Sequence, residues 1–297
     1  KKLHMRITFG KFDFGLLRDM AGFSFFIFLN EIINQINWTV DTTLLGIISG
    51  TAATAIYGVG SQINQYYMAL STSISGVFTP QINRIVARGE GEEQLTKLFT
   101  RVGRIQFMLL MLVLTGFVFV GEPFICAWGG EEYGAAYWIA LLLIAPVTVP
   151  LIQNIGIEIQ RAKNMHQFRS KVYFCMAIGN ALVSIPLGMK FGGIGCALGT
   201  AISMVVGNGF IMNWYYQTHI GLDMHYFWKH ILSIVPAMLP AVALGIIAVR
   251  LHTFTGYAGV VTFAVPYAAV YAVGLYLLAM DESEKNMVRG VMRKIRR

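Results

Sequence analysis

Eight apolar runs, each roughly the length of a membrane crossing, organise this chain: 20–46, 54–82, 105–120, 135–160, 171–188, 194–216, 231–250 and 257–279. A helix rises 1.5 Å per residue, so about 20 apolar residues span the hydrocarbon core of a bilayer. Water cannot supply backbone hydrogen bonds there, so each run must close its own bonds as a helix. Hydrophobic residues make up 56% of the chain and charged residues 13%. A soluble domain carries about 25% charge, so this chain has too little polar surface to cover a globule in water. The expected fold class is all-α: a polytopic transmembrane helix bundle of about eight spans.

Charge placement supports that count. With the N-terminus on the inner side, the basic clusters fall at Lys1–Arg18, Arg84–Arg104, Arg161–Lys171, Lys229 and Lys285–Arg297. All of these lie on the inner side, and only Lys190 and Arg250 fall outside. This is the positive-inside pattern, with both termini cytoplasmic. The net charge of +8 is therefore a topology signal and implies no nucleic-acid partner. Anionic lipid headgroups are a second expected use for it. Aromatics cluster at the predicted outer boundary (Trp128, Tyr133, Tyr137, Trp138) and at the inner one (Trp214, Tyr215, Tyr216, Tyr226, Trp228), the depth amphipathic rings prefer. Cys126, Cys175, Cys196 and six scattered histidines form no ligand spacing, so no metal and no bound cofactor are expected. The chain opens KKLHMRITFG, a basic start with no initiator Met and no signal peptide, as expected of a sequence that begins inside a longer protein.

The stretch FLNEIINQINWTVDTTLLG at Phe28–Gly46 sets polar groups inside the first run. At 3.6 residues per turn, Asn30, Glu31, Asn34, Gln35, Asn37, Trp38 and Asp41 fall in a wedge roughly 160° wide, with the aliphatic residues opposite. An acid at bilayer depth costs about 2.5–3.5 kcal/mol even on the lenient insertion scale, so Glu31 and Asp41 need water, a partner or a proton. For the amides, hydrogen-bond glue between helices is an equal reading. Asp41 lies nearer the outer boundary, where solvent is an alternative. Glu31 is the expected coupling residue for H+ or Na+, since burial disfavours its charged form.

The second run has two polar or small faces. One carries Ser61, Gln62, Gln65, Ala69, Thr72 and Gly76, and the other Asn64, Tyr67, Ser71 and Ser75. Such a helix is buried in the bundle, with one side free to face a cavity. In the fourth run Asn154, Glu158 and Arg161 share a face. A Glu158–Arg161 pair three residues apart and a substrate contact are equal readings. Pro146 and Pro150 predict a kink there. Gly195 and Gly199 form a small-xxx-small step for close helix packing. The candidate substrate path is Glu31, Asn34, Gln35, Trp38, Asp41, Gln62, Gln65, Asn154 and Glu158. Amides, hydroxyls and aromatic rings with few charges suit sugars; a lipophilic cation is the alternative cargo.

Three segments resemble a known family: IYGVGSQINQYYMALSTSISGVFTPQINRIVARGE, GEPFICAWGGEEYGAAYWIALLLIAP, and IGIEIQRAKNMHQFRSKVYFCMAIGNALVSIPLGMKFGGIGCALGTAIS. Each is similar to the Wzx-like polysaccharide flippases of the multidrug/oligosaccharidyl-lipid/polysaccharide exporter (MATE-like) superfamily. The resemblance implies the second lobe of a two-lobe transporter plus two extra helices. The implied units are an inter-lobe basic segment (1–19), a six-helix lobe (20–217), two additional helices (218–280) and a basic cytoplasmic tail (281–297). It also implies a partner lobe N-terminal to this one. The implied activity is not enzymatic: lipid-linked oligosaccharide, of the undecaprenyl pyrophosphate type, is flipped across the bacterial inner membrane for O-antigen, capsule or exopolysaccharide assembly. Lobes rocking by alternating access would carry it. The cargo's pyrophosphate needs cations, and the spans hold none deep inside. The rim residues Arg84, Arg88, Arg101, Arg104, Arg161 and Lys163 are the expected capture set. A multidrug or cation antiporter of the same superfamily is the alternative. A membrane polymerase or ligase is disfavoured, because the longest outer loop offers only Glu122, Glu131 and Glu132.

Overall fold

The computed structural model describes residues 14–89, 91–165 and 167–295. The side chains at 16, 19, 23, 26, 27, 29–38, 40, 287, 288 and 291–295 lie outside the described set. Every regular element among the described residues is helical, so the fold is an all-α helix bundle.

Helix α1 (Phe14–Ile48) turns at Ser49 and Gly50 into α2 (Gly50–Arg88). Gly50 takes φ +80°, a left-handed value glycine adopts at no steric cost. Gly89 ends α2 in the left-handed region, its N–H reaching the Ile85 and Val86 carbonyls, the usual glycine stop. Helix α3 (Glu92–Gly129) starts on Glu92 and Glu93, whose charge suits a helix N-terminus. A single 3-10 turn, Glu131–Tyr133, leads to α4 (Ala136–Ile152). Helix α5 (Ile155–Ala162) continues α4 after a bend of 43°. The bend follows Pro150 within a turn, as expected where proline removes a backbone donor.

Helix α6 (Gln167–Met204) is not one rod. Gly192 sits at φ 58°, ψ −136° inside it, and the Ser184 hydroxyl reaches the Cys196 carbonyl at 3.3 Å. Twelve residues of straight helix would hold those groups about 18 Å apart, so the chain folds back at Gly192 into two limbs. Glycine makes their approach feasible. A Cβ at Gly195 would sit 2.0 Å from the Leu187 carbonyl oxygen, and one at Gly199 would sit 2.2 Å from Ser184 Oγ. The second limb runs on in π-helical geometry through Val205–Met212 and Tyr216–Ile220, with the α-helical turn α7 (Asn213–Tyr215) between. Asp223 caps α8 (Met224–Leu232), accepting from the Tyr226 N–H. Helices α9 (Val235–Leu251), α10 (Gly256–Leu278) and α11 (Glu282–Ile295) complete the chain.

Among the described residues, four stretches are long and apolar enough to cross a membrane: Glu92–Gly129, Gln167–Ile220, Met224–Leu251 and Gly256–Leu278. Counting α4 with α5 as one bent span makes five. The count is lower than the eight runs for two reasons. Helices α1 and α2 dilute their hydropathy with amides and hydroxyls, and the folded hairpin of α6 counts once. Exposed apolar side chains mark the lipid-facing side. On the first limb of α6 these are Phe174, Ile178, Leu182, Ile185 and Met189, one stripe at helical spacing.

The main core sits where α3, α5, α8 and the second limb of α6 converge. Phe99 and Phe227 are fully buried with ring centroids 4.7 Å apart, and Tyr216 lies 5.8 Å from Phe99. Gly103 lets Phe227 in, since a Cβ there would lie 2.6 Å from its ring. Helix α10 lies along α3: Tyr271 donates to the Met108 carbonyl at 2.8 Å, and Phe119, Phe263 and Tyr267 stack between them.

Candidate functional site

Helix α2 decides which polar face is glue and which is open. Its back face is bonded into the bundle at Tyr67, Ser71 and Ser75, while buried Asn64 on the same face has no hydrogen-bond partner. The Tyr67 hydroxyl meets Thr148 Oγ1 at 2.8 Å and donates to the Leu110 carbonyl at 3.2 Å. Ser71 donates to the Leu151 carbonyl at 2.8 Å. Gln106, fully buried on α3, donates to the hydroxyls of Ser71 and Ser75 at 2.9 and 2.8 Å. These bonds satisfy polar groups that apolar surroundings would otherwise penalise. They serve packing.

The front face is exposed from Gln62 onward, while Ser61 at its start is buried. Gln62, Gln65, Ala69, Thr72, Ser73, Gly76, Pro80, Asn83 and Arg84 all lie open. At 1.5 Å per residue, the step from Gln62 to Arg84 covers about 33 Å, a bilayer's thickness. Few of these side chains suit contact with acyl chains. Gln62 bonds Tyr66 one turn on at 2.9 Å, and Thr72 and Ser73 turn their hydroxyls to their own backbone. What remains is a stripe of small, amide and hydroxyl side chains, interleaved with exposed Tyr66 and Val77.

The other expected path residues divide. Glu31, Asn34, Gln35 and Trp38 belong to α1, and their side chains lie outside the described residues. Asp41 is buried, 1% exposed, and not solvated at an outer boundary. Its Oδ2 accepts from Tyr57 at 2.7 Å and Thr200 at 2.6 Å, so α1, α2 and the second limb of α6 meet on one carboxylate. Asn154 is half-buried at the α4–α5 break. Glu158 pairs with Arg161 at 2.9 Å, three residues on. The structure thus brings Gln62 and Gln65 together on an open face and sets Asp41 apart from it in the protein interior.

The rim set also divides. Arg84 is exposed at the end of the open stripe, and Arg88 and Arg101 are exposed near the same end of the bundle. Arg161 is tied to Glu158. Lys163 donates to the Ile220 carbonyl at 2.7 Å. Arg104 is not at the rim. It is 7% exposed, and its nitrogens are engaged by Glu284, the carbonyls of His230 and Ala279, and Ser233. A guanidinium has five N–H donors, and here each finds an acceptor, leaving none for a headgroup.

Sequence reasoning missed the groups around Asp41. Asn180 and Ser184 are one turn apart on the first limb, and Cys196 and Thr200 one turn apart on the second. That i, i+4 spacing of polar groups in apolar runs was the available signal. It also missed Glu284, whose acid lies in a tail that reads as polar throughout. Among the described residues, no three His, Cys, Asp or Glu side chains gather as a metal site.

Two comparisons bear on identity. Residues 3–138 match a family of polysaccharide biosynthesis proteins, a stretch that includes α1, α2 and α3. The chain is 26% identical over 174 residues to "Probable flippase AglR" of Haloferax volcanii, covering 57% of this chain and 36% of that protein. The chain thus spans about a third of that relative's length. No solved structure matches. Both comparisons agree with the resemblance read from the sequence: part of this chain is similar to polysaccharide biosynthesis proteins and to a probable flippase.

Proposed function

We propose that this chain is one lobe of a flippase that moves a lipid-linked saccharide from the inner to the outer leaflet. One observation carries the reading: the open stripe of small, amide and hydroxyl side chains on α2 from Gln62 to Arg84, in a bundle whose exposed surface is otherwise rich in aliphatic and aromatic side chains. A sugar presents many hydroxyls and needs a wet path lined by donors and acceptors. Its polyprenyl tail can stay among the acyl chains beside the lipid-facing stripe of α6. Glu31, Asn34, Gln35 and Trp38 on α1 are proposed to line the same path. Asn154 and Glu158 stand near its inner end. Asp41 is removed from this set, because its carboxylate faces Tyr57 and Thr200 inside the protein.

Headgroup capture is proposed for the exposed arginines Arg84, Arg88 and Arg101. Arginine forks match phosphate geometry. An N-terminal lobe is proposed to face the stripe and complete the cavity. The undecaprenyl pyrophosphate type of carrier, the bacterial inner membrane and the cytoplasmic termini belong to the same proposal. Transport of this kind makes and breaks no covalent bond.

The test is translocation itself. The full-length protein in proteoliposomes should make an inner-leaflet lipid-linked oligosaccharide accessible to an external lectin. Arg84→Glu should slow that appearance on the order of tenfold, the effect of losing about 1.4 kcal/mol of headgroup attraction. An unchanged rate removes Arg84 from capture. Export of a lipophilic cation with no movement of the oligosaccharide rejects the flippase reading.

A further inference from the structure

Only Ala279, Met280 and Asp281 separate the apolar span α10 from α11, so α11 starts at a membrane boundary. Its rotation is fixed from the first turn. Asp281 and Glu284 accept each other's backbone N–H at 2.8 and 2.9 Å, a reciprocal cap. Glu284 is buried and turns its carboxylate to Arg104 on α3. The same guanidinium holds the carbonyls of His230 in the last turn of α8 and of Ala279 just after α10. Farther along, Arg289 is exposed and donates to the Tyr276 hydroxyl at 3.2 Å, and the Lys285 ammonium lies 5.8 Å from the Tyr276 ring. The first two turns of α11 are therefore tied to α3 and α10.

That rotation orders the rest of the helix. At about 100° per residue from Glu284, positions 287, 288, 291, 292 and 295 fall within an arc of about 140° around it. The sequence puts Met, Val, Val, Met and Ile at those positions. Lys285, Arg289 and Arg293 follow one another on one flank of the arc, and Lys294 falls on the other. From Lys285 to Arg297 the sequence holds six basic residues and no acidic one. We propose that α11 is an interfacial helix that lies on the leaflet where α10 emerges and binds anionic phospholipid headgroups. An apolar stripe flanked by cations matches the boundary between acyl chains and headgroups. Packing on protein would use the stripe and leave the cations without a role; an anionic leaflet uses both. Arg104 and the lipid then act on opposite ends of one strap. Arg104 holds the first turn of α11 to the ends of α8 and α10, and headgroups hold the far turns down. The strap does not depend on the identity of the cargo.

Lipid binding can be read without transport. The full chain is placed in nanodiscs of phosphatidylcholine alone or of phosphatidylcholine with phosphatidylglycerol, and amide hydrogen exchange is followed along α11. Exchange reports local opening of the helix. Amides of the last two turns, at 289–295, should exchange at least about tenfold more slowly with phosphatidylglycerol present. Amides beside the Asp281–Glu284 cap should exchange alike in both discs, since protein groups hold them. Arg289→Gln, Arg293→Gln and Lys294→Gln combined should abolish the lipid dependence. Glutamine keeps nearly the helix propensity of the residues it replaces, so the variant tests charge and not helix formation. Equal exchange of the last two turns in the two kinds of disc overturns the proposal. So does a phosphatidylglycerol effect that survives in the triple variant. Inorganic phosphate is added to the phosphatidylcholine discs as a third arm. Slowing there equal to that from phosphatidylglycerol means that α11 binds a free anion, and this also overturns the proposal.

Discussion

Two carboxyl groups are buried to nearly the same extent in this bundle, and their surroundings are opposite. Glu284 is 3% exposed and forms a two-point ion pair with Arg104, Nε–Oε1 at 2.8 Å and Nη2–Oε2 at 3.0 Å. It also closes a reciprocal cap with Asp281: each backbone N–H meets the other's side chain, at 2.9 and 2.8 Å. Both of its oxygens are satisfied by groups that cannot leave. Asp41 is 1% exposed, receives two neutral hydroxyls and leaves Oδ1 unmet. A packing role accounts for the first arrangement. The second leaves one buried carboxylate oxygen without a donor. Burial alone therefore says little about what a buried acid does; the number and charge of its donors decide.

The largest effect expected from this contrast is on Glu284. Removing one partner of a buried ion pair leaves an uncompensated charge and costs about 3–5 kcal/mol. Glu284→Gln should therefore lower stability by that order in denaturant or heat, with Arg104→Met similar. Part of the loss should return in Arg104→Met combined with Glu284→Met, since an apolar pair of like volume is often as stable. Full recovery is not expected, because the carbonyls of His230 and Ala279 lose their donor. A Glu284→Gln protein as stable as the parent would break the comparison at its firmer end.

Next is the close approach that builds the Asp41 cluster. Gly199→Ala would place a methyl 2.2 Å from Ser184 Oγ and 2.9 Å from its Cα. Overpacking of this kind costs about 1–3 kcal/mol. The backbone of Ser184 must shift, so the melting temperature should fall accordingly. Gly50→Ala is the control. It sits at φ +80° with nothing nearby to clash, so its cost is backbone strain alone.

What the sequence shows of this follows physical lines. The helices were legible because apolar runs of bilayer length have one solution. The α4–α5 bend was legible because Pro146 and Pro150 remove backbone donors. The Glu158–Arg161 pair was legible because three residues is a helical neighbour distance. The two faces of α2 were separable by periodicity, yet nothing in the sequence says which one packs. That assignment needed Gln106 and Thr148, which come from helices distant in sequence. The environments of Arg104 and Asp41 were not legible for the same reason. Arg104 reads as one more basic residue in a rim cluster, and its partner is 180 residues away. Asp41 reads as part of a wet wedge on its own helix, but Thr200, 159 residues on, turns it inward.

The contrast is sharpened by Asp41→Asn. An amide oxygen still accepts from Tyr57 and Thr200, and the unmet charge is gone. The expected change in stability is within about 1 kcal/mol, since one hydrogen bond's worth of adjustment is at stake. The two buried acids would then answer neutralisation differently, Glu284 losing several kcal/mol and Asp41 little. Loss of stability on the scale of Glu284→Gln would mean that Asp41 is as firmly paired as Glu284.

The smallest effect on stability is expected on the open face of α2. Gln65→Leu and Thr72→Val replace exposed side chains, and exposed substitutions away from special features usually stay within about 0.5 kcal/mol. The same changes turn a stripe made for hydroxyl groups into one made for lipid, so lectin-accessible oligosaccharide should appear more slowly in the double variant while the melting temperature holds. Ser71→Ala with Gln106→Leu on the back face should do the reverse, lowering the melting temperature while any folded protein transports at the parental rate. A front-face variant that transports normally, beside a back-face variant that folds normally and does not transport, would exchange the two faces. The path would then run between α2 and α3, and the open stripe would be a docking surface for the partner lobe.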